Sequence, residues 1–346
     1  MWAKVYRSSQ RVFECKLLDV DCADNGKIVS ATALGMLLKE GEIVTGDLVE
    51  LETNKGTGTL DSDYVITKVA ERKNQIYRIS QRESRKKITA ANCDYVAVIT
   101  SVSLPVFKRG ILDRFIVRSF QWKIPAIVIF NKMDQFVEYE KEFDLAFEAK
   151  RMTSLNVPCY EISAHQPEYV PRIIIEDPLQ SSFFHLQQRI RGKTVAFLGQ
   201  SGVGKSRIIG ALTGGHIKLK SQDISRASKG SHTTSWSEII EFDDFCMIDS
   251  PGIRSFSLED ILEEELIDYY PDVSEVARKC MFSNCQHHQD SKGCAFYSHD
   301  SGAGAGAGAV FTSDEEKRIL ISRLESYLQI KEELANQPSW SKKDRY

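Results

Sequence analysis

The sequence predicts a multidomain protein in which an all-β domain precedes an α/β domain with a mostly parallel sheet and a helical C-terminal region. Short segments rich in β-formers, separated by turn residues, occupy the first ~85 residues. From about residue 89, continuous apolar runs alternate with helix-like segments, which is typical of a parallel sheet covered on both faces. From about residue 258 the chain becomes helical and acidic.

The N-terminal β-rich segments span residues 12–20, 27–37, 46–51 and 64–69. Turn signals, Asp-Asn-Gly at 24–26 and Asn-Lys-Gly at 54–56, separate them. Several short strands at this spacing predict a small barrel. The periodicity alone does not distinguish an OB-fold from an SH3-like barrel.

Four apolar runs are the predicted strands of the α/β domain, at residues 95–100, 126–130, 195–198 and 246–248. Helix-like segments at 110–120 and 139–152 lie between them. A last helix is predicted over about 313–334, after a Gly-Ala segment at 301–309 that we expect to be flexible.

The composition excludes several classes of protein. An apolar fraction of 42% and a charged fraction of 27% are ordinary for a globular chain, and a net charge of −3 excludes a general polycation. No apolar run approaches the ~20 residues that cross a bilayer, and residues 1–11 lack a signal-peptide layout. We therefore expect a cytoplasmic protein without membrane association, whose eight cysteines do not form a disulfide framework.

A basic stretch follows the β-rich domain. Residues 68–87 contain eight Lys or Arg against two Glu, with Tyr77 among them. The stretch is either a solvated linker or a surface that contacts phosphates, because clustered cations gain affinity by releasing counterions from a polyanion.

A phosphate-binding loop is predicted at residues 199–206, which fit Gly-x-x-x-x-Gly-Lys-Ser. An apolar strand precedes this phosphate loop and a helix-like segment at 207–212 follows it, which is the context that the motif requires. Backbone N–H groups would wrap the phosphates, Lys205 would add a charge and Ser206 would offer a Mg²⁺ ligand. Alone, this motif indicates only a nucleoside triphosphate, and its expected nucleotide-binding residues are Gly199, Gln200, Ser201, Gly202, Val203, Gly204, Lys205, Ser206 and Arg207.

A guanine-binding motif, Asn-Lys-x-Asp at 131–134, directly follows a buried strand. In this base motif an aspartate accepts hydrogen bonds from the N1–H and the exocyclic amine of guanine, whereas adenine would leave the carboxylate unpaired. A second strand ends in Ser-Ala at 163–164, where backbone contact with the guanine carbonyl is expected. The predicted base-binding residues are Asn131, Lys132, Met133, Asp134, Ser163 and Ala164. Because adenine would leave the carboxylate of Asp134 unpaired, this motif argues against a metabolic ATP-binding enzyme.

Two further segments have the pattern of nucleotide switches. Asp-x-x-Gly at 249–252 ends a strand; Asp249 would hold Mg²⁺ through water and Gly252 would meet the γ-phosphate. Upstream, Thr233 or Thr234 would ligate Mg²⁺, and the sequence does not distinguish them; we use Thr234 as the expected ligand. For either threonine, Thr233 or Thr234, the position between the phosphate loop and the Asp-x-x-Gly segment is typical of a switch.

The residue that positions the attacking water is not obvious. Ile253 follows the second switch, where many GTPases carry a glutamine that orients the water. Isoleucine cannot do so. His232 is therefore the candidate catalytic residue, because an imidazole can orient water at neutral pH.

The order of the motifs indicates a circularly permuted P-loop GTPase domain. The base motif and Ser-Ala precede the phosphate loop, and the Asp-x-x-Gly segment comes last. This is the usual cyclic order cut at a different point, which a sheet tolerates where the original termini lie close together. Both switch segments then adjoin the C-terminal region in sequence.

A metal site is predicted near the C-terminus. Three cysteines, with one histidine of an adjacent pair (His287 or His288), lie within fifteen residues. Three thiolates and one imidazole make a closed tetrahedral shell typical of structural zinc. The cysteines are Cys280, Cys285 and Cys294.

Taken together, these motifs resemble the RsgA (YjeQ) family of bacterial ribosome-assembly GTPases. The resemblance covers the barrel-like N-terminus, Ala-Ala-Asn-Cys-Asp at 90–94, the permuted motifs, Gly-x-His-Thr-Thr at 230–234 and Asp-Ser-Pro-Gly-Ile-Arg at 249–254. It also covers the C-x4-C-x-H-x6-C pattern, and so favours His287 as the fourth zinc ligand. Ser255, Arg207 and the Gly-Ala segment depart from the family pattern.

The resemblance implies an N-terminal OB-fold at 1–84, a permuted GTPase domain at 85–258 and a zinc-binding helical domain at 259–346. It implies a monomer that binds GTP or GDP with Mg²⁺, one structural zinc ion, and the alarmone guanosine tetraphosphate. It further implies binding to the small ribosomal subunit and its rRNA late in maturation, with GTP hydrolysis stimulated by the subunit. The alternative is a GTP-regulated module that binds another RNA or protein.

Overall fold

A computed structural model of the chain describes residues 1–9, 12–18, 26–40, 42–54, 64–80, 85–142, 144–172, 182–215, 237–249, 258, 260–297 and 311–336. Its main sheet has eleven strands in the order β10-β9-β8-β11-β13-β12-β1-β2-β3-β5-β4. The last five strands of that order form a barrel and the first six form the sheet of the α/β domain. Among the described helices, none combines the length and the apolar character needed to span a membrane.

The N-terminal strands close into a five-stranded barrel because β4 pairs with β1 as well as with β5. β3 runs parallel to β5, and a short helix lies between β3 and β4 in the chain, so the barrel is an OB-fold. Its elements are β1 (Trp2–Ser8), β2 (Phe13–Leu17), β3 (Ile28–Ala33), α1 (Gly35–Glu40), β4 (Leu48–Thr53) and β5 (Tyr64–Val69).

β1 was not predicted from the sequence, and β3 ends at Ala33 rather than at 37 because α1 begins at Gly35. β2 has the expected alternation, with Phe13, Cys15 and Leu17 buried in the barrel. β1 lacks it, because Val5 packs in the barrel core while its neighbour Tyr6 packs in the core of the α/β domain.

A β-hairpin connects the barrel to the α/β domain. Its strands are β6 (Gln75–Ser80) and β7 (Arg85–Ala91), and they form a separate two-stranded sheet. Ile76 and Ala90 are buried in the core of the α/β domain, and the indole N–H of Trp122 donates to the carbonyl of Tyr77 at 3.1 Å. The boundary expected at 84/85 falls between the two strands of this hairpin.

The α/β domain contains five parallel strands, with β12 antiparallel at one side. Apolar clusters cover both faces of the sheet, which explains why its strands have continuous apolar runs. The elements are β8 (Tyr95–Ser101), α2 (Arg109–Trp122), β9 (Ala126–Asn131), α3 (Phe136–Tyr139), α4 (Leu145–Thr153), β10 (Cys159–Ile162), α5 (Phe183–Ile190), β11 (Thr194–Gly199), α6 (Lys205–Leu212), β12 (Glu238–Glu241) and β13 (Cys246–Asp249). The strands that lead into the base motif and the Ser-Ala segment, β9 and β10, precede β11 in the chain, as the permutation predicts.

The C-terminal region is helical and has its own apolar core. Its helices are α7 (Pro271–Ala277) and α8 (Asp314–Ala335). Phe296, Leu324 and Tyr327 are among its buried residues, together with Val117 from α2 of the α/β domain. The hydroxyl of Ser313 caps α8 by accepting the Glu316 N–H at 3.1 Å, so the predicted last helix is confirmed.

The barrel is joined to the α/β sheet by strand pairing. β1 pairs with β12 at Arg7 and Glu238, whose side chains also form an ion pair at 2.7 Å. The hydroxyl of Thr45 donates to the Ser237 carbonyl at 2.6 Å, where β12 begins. The barrel is therefore continuous with the strand that leads to β13 and Asp249.

The C-terminal region is joined to the α/β domain by buried ion pairs. Asp113 on α2 accepts from Arg151 on α4 at 2.9 Å and from Arg323 on α8 at 2.8 Å, and all three side chains are fully buried. Arg323 also pairs with Asp272 on α7 at 2.8 Å. Burial opposes ionisation of Asp113, but the charges of Arg323 and Arg151 outweigh it and lower its pKa.

Replacing Arg323 tests how strongly this network holds the two regions together. Arg323→Ala leaves the carboxylates of Asp113 and Asp272 short of a partner, so we expect a loss of about 3–5 kcal/mol in the free energy of unfolding. Denaturant unfolding measures it. Arg318→Ala is the control on the same helix, since that side chain is 67% exposed and should cost at most about 1 kcal/mol. Equal losses in both variants would contradict the expectation.

Candidate functional site

The phosphate loop lies at the carboxyl end of β11 and leads into α6, as predicted. Gly202 and Gly204 have positive φ angles of 87° and 93°. A β-carbon at Gly204 would lie 2.3 Å from Nδ2 of Asn131. Only glycine at this position therefore lets the phosphate loop approach the base motif this closely. The Lys205 ammonium donates to the Gly199 carbonyl at 3.0 Å, across the mouth of the loop.

Asn131 braces three parts of the site. Its Nδ2 donates to the Val203 carbonyl in the phosphate loop at 2.8 Å, and its Oδ1 accepts the Ala164 N–H at 3.1 Å. The side chain is 1% exposed, so both bonds are protected from water. The base motif, the Ser-Ala segment and the phosphate loop, which are far apart in sequence, therefore form one unit.

Asp134 is oriented by Ser163. The Ser163 hydroxyl donates to Oδ1 of Asp134 at 2.6 Å and accepts the backbone N–H of Gln166 at 3.0 Å. Ser163 is buried, whereas Asp134 is exposed at the surface of the site. An exposed carboxylate held by a buried hydroxyl is suited to accept hydrogen bonds from a ligand in a defined orientation.

Lys132 links the base motif to two backbone carbonyls. Its ammonium donates to Gly202 in the phosphate loop at 2.9 Å and to Leu104 in the turn after β8. Partial burial, with the nearby charge of Arg207, lowers the pKa of Lys132. The contact with Leu104 was not predicted from the sequence. Because β8 lies between β9 and β11, the turn that follows it must reach the same edge of the sheet, and that topology was the available signal.

The remaining predicted contacts divide into four groups. Met133 is buried in the core, so only its backbone faces the site. Ser206 and Arg207 are exposed in the first turn of α6, beside the exposed Ser201. Asp249 ends β13, whose Ile248 is in register with Ala196 of β11, so it lies at the same edge as the phosphate loop. His232, Thr233, Thr234, Gly252 and Ile253 lie outside the described residues.

The predicted metal ligands come together in the C-terminal region. The donor atoms of Cys280, Cys285, His287 and Cys294 all lie within 4.8 Å of one another. Nδ1 of His287 is 3.5 Å from Sγ of Cys280 and 3.8 Å from Sγ of Cys294. A tetrahedral zinc ion would separate a sulfur ligand from a nitrogen ligand by about 3.6 Å. This cluster can hold a metal ion, and the adjacent His288 is exposed and outside it.

A profile of the RsgA GTPase family matches residues 69–259. The chain belongs to the RsgA GTPase family. As a member it is a GTP-hydrolysing enzyme, and GTPases of this kind use Mg²⁺.

Two relatives cover nearly the whole chain. The small ribosomal subunit biogenesis GTPase RsgA of Bacteroides fragilis (strain YCH46) is 31% identical over 318 residues, which are 90% of this chain and 91% of that protein. The protein of the same name from Christiangramia forsetii is 30% identical over 340 residues, 96% of each chain.

Two solved structures share the fold. YjeQ from Thermotoga maritima superposes with a TM-score of 0.68 at 23% identity, covering 97% of this chain and 99% of that one. YloQ, described as a circularly permuted GTPase, has a TM-score of 0.63 at 20% identity, covering 100% and 96%. The likeness confirms the permuted RsgA fold that the motif order predicted.

A substitution at Gly204 tests the contact between the phosphate loop and the base motif. Gly204→Ala places a β-carbon against Asn131 at a strained φ, so we expect affinity for GDP to fall about tenfold or more. Gly210→Ala in α6 is the matched control, because an added β-carbon there meets nothing within 4 Å. Titration with a fluorescent GDP analogue measures both variants, and equal affinities would contradict the packing argument.

Paired histidine variants test the composition of the metal cluster. The purified protein is expected to carry about one metal ion per chain, as a closed four-ligand site binds. His287→Ala should lose most of that metal, since three thiolates leave the shell incomplete. His288→Ala should retain it. Elemental analysis of dialysed protein gives the ratio, and loss of metal only in His288→Ala would reverse the assignment.

Proposed function

We propose that this RsgA-family chain binds the small ribosomal subunit, assists its late maturation and hydrolyses GTP when the subunit stimulates it. The observation that carries the proposal is the Asn131 brace, which joins a guanine-specific motif to a phosphate loop. The relatives named as small ribosomal subunit biogenesis GTPases supply the partner. The chain is expected to act as a monomer in the cytoplasm.

Guanine recognition is assigned to the exposed carboxylate of Asp134. Its oxygens would accept from N1–H and the exocyclic amine of guanine, while the backbone of the Ser-Ala segment would contact the guanine carbonyl. Adenine lacks these donors, so its binding would leave the carboxylate desolvated and unpaired. The same pocket would accept GTP, GDP and guanosine tetraphosphate, because all three share guanine and the 5′ phosphates.

Hydrolysis is assigned to residues around the phosphate loop and both switches. Ser206, Thr234 (or Thr233) and Asp249 would hold Mg²⁺, which neutralises charge on the β- and γ-phosphates when bound. Gly252 would meet the γ-phosphate. His232 would orient the attacking water in place of the glutamine that Ile253 replaces. A site that lacks this glutamine is expected to hydrolyse GTP slowly until a binding partner completes the site.

The metal centre is assigned one structural zinc ion. Three thiolates and one imidazole are soft donors that favour zinc, and they leave no open position for a substrate. The N–H of Ala295 donates to Sγ of Cys280 at 3.3 Å, which supports a thiolate at that position. The ion would hold the loop between α7 and α8 in place.

Contact with rRNA is assigned in part to the basic hairpin. Arg78, Lys86 and Lys87 are exposed there, and Lys86 lies 3.9 Å above the ring of Tyr77. Arg72 belongs to the same basic stretch but is bound to the buried carboxylate of Asp47 at 2.6 Å. Only part of that stretch is therefore available to phosphates.

The domain organisation is proposed as three units close to 1–84, 85–258 and 259–346. We propose to move the first boundary toward the beginning of the hairpin, because both of its strands pack on the α/β domain. We also propose to move the second boundary to just before residue 258, because Leu258 packs in the C-terminal core.

Turnover assays with purified subunits test the function. GTP hydrolysis should rise about tenfold or more with small subunits, as partner-completed GTPase sites do, and remain unchanged with large subunits. Asp134→Asn should weaken GTP binding by at least about tenfold without changing ATP binding. Stimulation by neither subunit would favour a GTP-regulated module acting elsewhere, and a wild-type preference for ATP would overturn the guanine assignment.

A further inference from the structure

A ring of hydrogen bonds encloses the lysine of the base motif. The ammonium of Lys132 donates to the Leu104 carbonyl, and the Ser101 hydroxyl donates to the same carbonyl at 3.2 Å. Ser101 in turn accepts the N–H of Ser103 at 3.2 Å. Ser101 is the last residue of β8, and Ser103 and Leu104 lie directly after it; we call residues 101–105 the 101–105 turn.

The ring closes on the backbone of Lys132 itself. The Ser103 hydroxyl donates to Oε1 of Gln135 at 2.7 Å, and the Gln135 N–H donates to the Lys132 carbonyl at 2.9 Å. The N–H of Val102 also donates to the Asn131 carbonyl at 3.1 Å. The 101–105 turn thus holds the base motif at its side chain and at its backbone.

Two serines of the ring are buried, whereas the bond from Lys132 to Leu104 lies at the surface. Ser101 and Ser103 are each 1% exposed, whereas Gln135 is exposed. Buried hydroxyls with defined partners keep one geometry, because losing a bond there leaves a desolvated polar group. Hydrogen bonds that involve an ammonium are also stronger than neutral ones.

We propose that Ser101, Ser103 and Gln135 are positioning residues for guanine-nucleotide binding, acting through Lys132. Ser101 holds the Leu104 carbonyl where the ammonium can reach it together with the Gly202 carbonyl. The lysine stem is thereby clamped between the 101–105 turn and the phosphate loop. This inference rests on the proposed role of the base motif in binding guanine nucleotides.

The proposal predicts a nucleotide effect that depends on Lys132. Ser101→Ala should raise the dissociation constant for a fluorescent GDP analogue about threefold to tenfold, the loss expected for one hydrogen bond. It should raise KM for GTP and leave kcat unchanged, because the ring contacts the base motif and not the reacting phosphate. In a Lys132→Ala background, adding Ser101→Ala should change the dissociation constant by less than about twofold.

Two further variants separate positioning from general stability. Ser119→Ala removes an equally buried serine hydroxyl, which donates to the Ile116 carbonyl at 2.8 Å in α2, and should leave nucleotide affinity unchanged. Gln135→Ala alters an exposed member of the ring and should weaken affinity with a smaller loss of thermal stability than Ser101→Ala, because the Ser103 hydroxyl can turn to the Ser101 hydroxyl at 3.4 Å. It therefore keeps the test open if Ser101→Ala folds poorly.

Three results would overturn the inference. The first is a loss of GDP affinity from Ser101→Ala that is equally large in the Lys132→Ala background. The second is an equal loss of GDP affinity in Ser119→Ala, and the third is wild-type GDP affinity in Gln135→Ala. Failure of the underlying assignment has a different signature. Lys132→Ala would then bind GDP as tightly as the wild type, which overturns both the role of the base motif and the ring built on it.

Discussion

The arrangement of the α/β domain and the C-terminal region depends on one buried carboxylate, Asp113, shared by Arg151 and Arg323. Because an unpaired charge in that position is costly, α2, α4 and α8 can pack only where all three groups meet. α4 also connects the strand that ends in the base motif to the strand that ends in Ser-Ala. The contact that docks the C-terminal region therefore also locates the edge of the sheet where the base motif and the Ser-Ala segment lie.

The circular permutation leaves each switch segment next to an anchored residue in the chain: the segment at 230–234 precedes Ser237, and the segment at 249–254 precedes Leu258. The carbonyl of Ser237 accepts the Thr45 hydroxyl of the barrel, and Ser237 directly precedes β12, which pairs with β1. Downstream, Leu258 lies in the C-terminal core and Asp260 pairs with Arg118 of α2 at 2.7 Å. The sequence order suggested proximity of the switches to the C-terminal region alone. The structure adds the barrel, because β1 continues the α/β sheet beyond β12.

The sequence predicted the chemistry that consecutive residues encode and missed what depends on packing. The phosphate loop and the base motif follow from spacing, and His287 follows from the family resemblance; the structure places the loop and the base motif at one edge of the sheet and His287 beside the three cysteines. β1 was missed because Val5 and Tyr6 face different domains, which removes the alternation. The bond from Lys132 to Leu104 and the pairing of Asp113 with Arg323 join distant segments. Local patterns contain no signal for such pairs.

The Asp113 network defines orientation more than it adds stability. Replacing such ions with apolar side chains of similar volume is often neutral or stabilising, whereas removing one partner is costly. The network is also incomplete, since within the described residues Nη2 of Arg323 and Oδ1 of Asp272 have no hydrogen-bond partner. The C-terminal region has its own apolar core, and apolar contacts alone would permit several registers of α8 against α2. Paired charges accept only one register, and that register holds α4 beside the base motif.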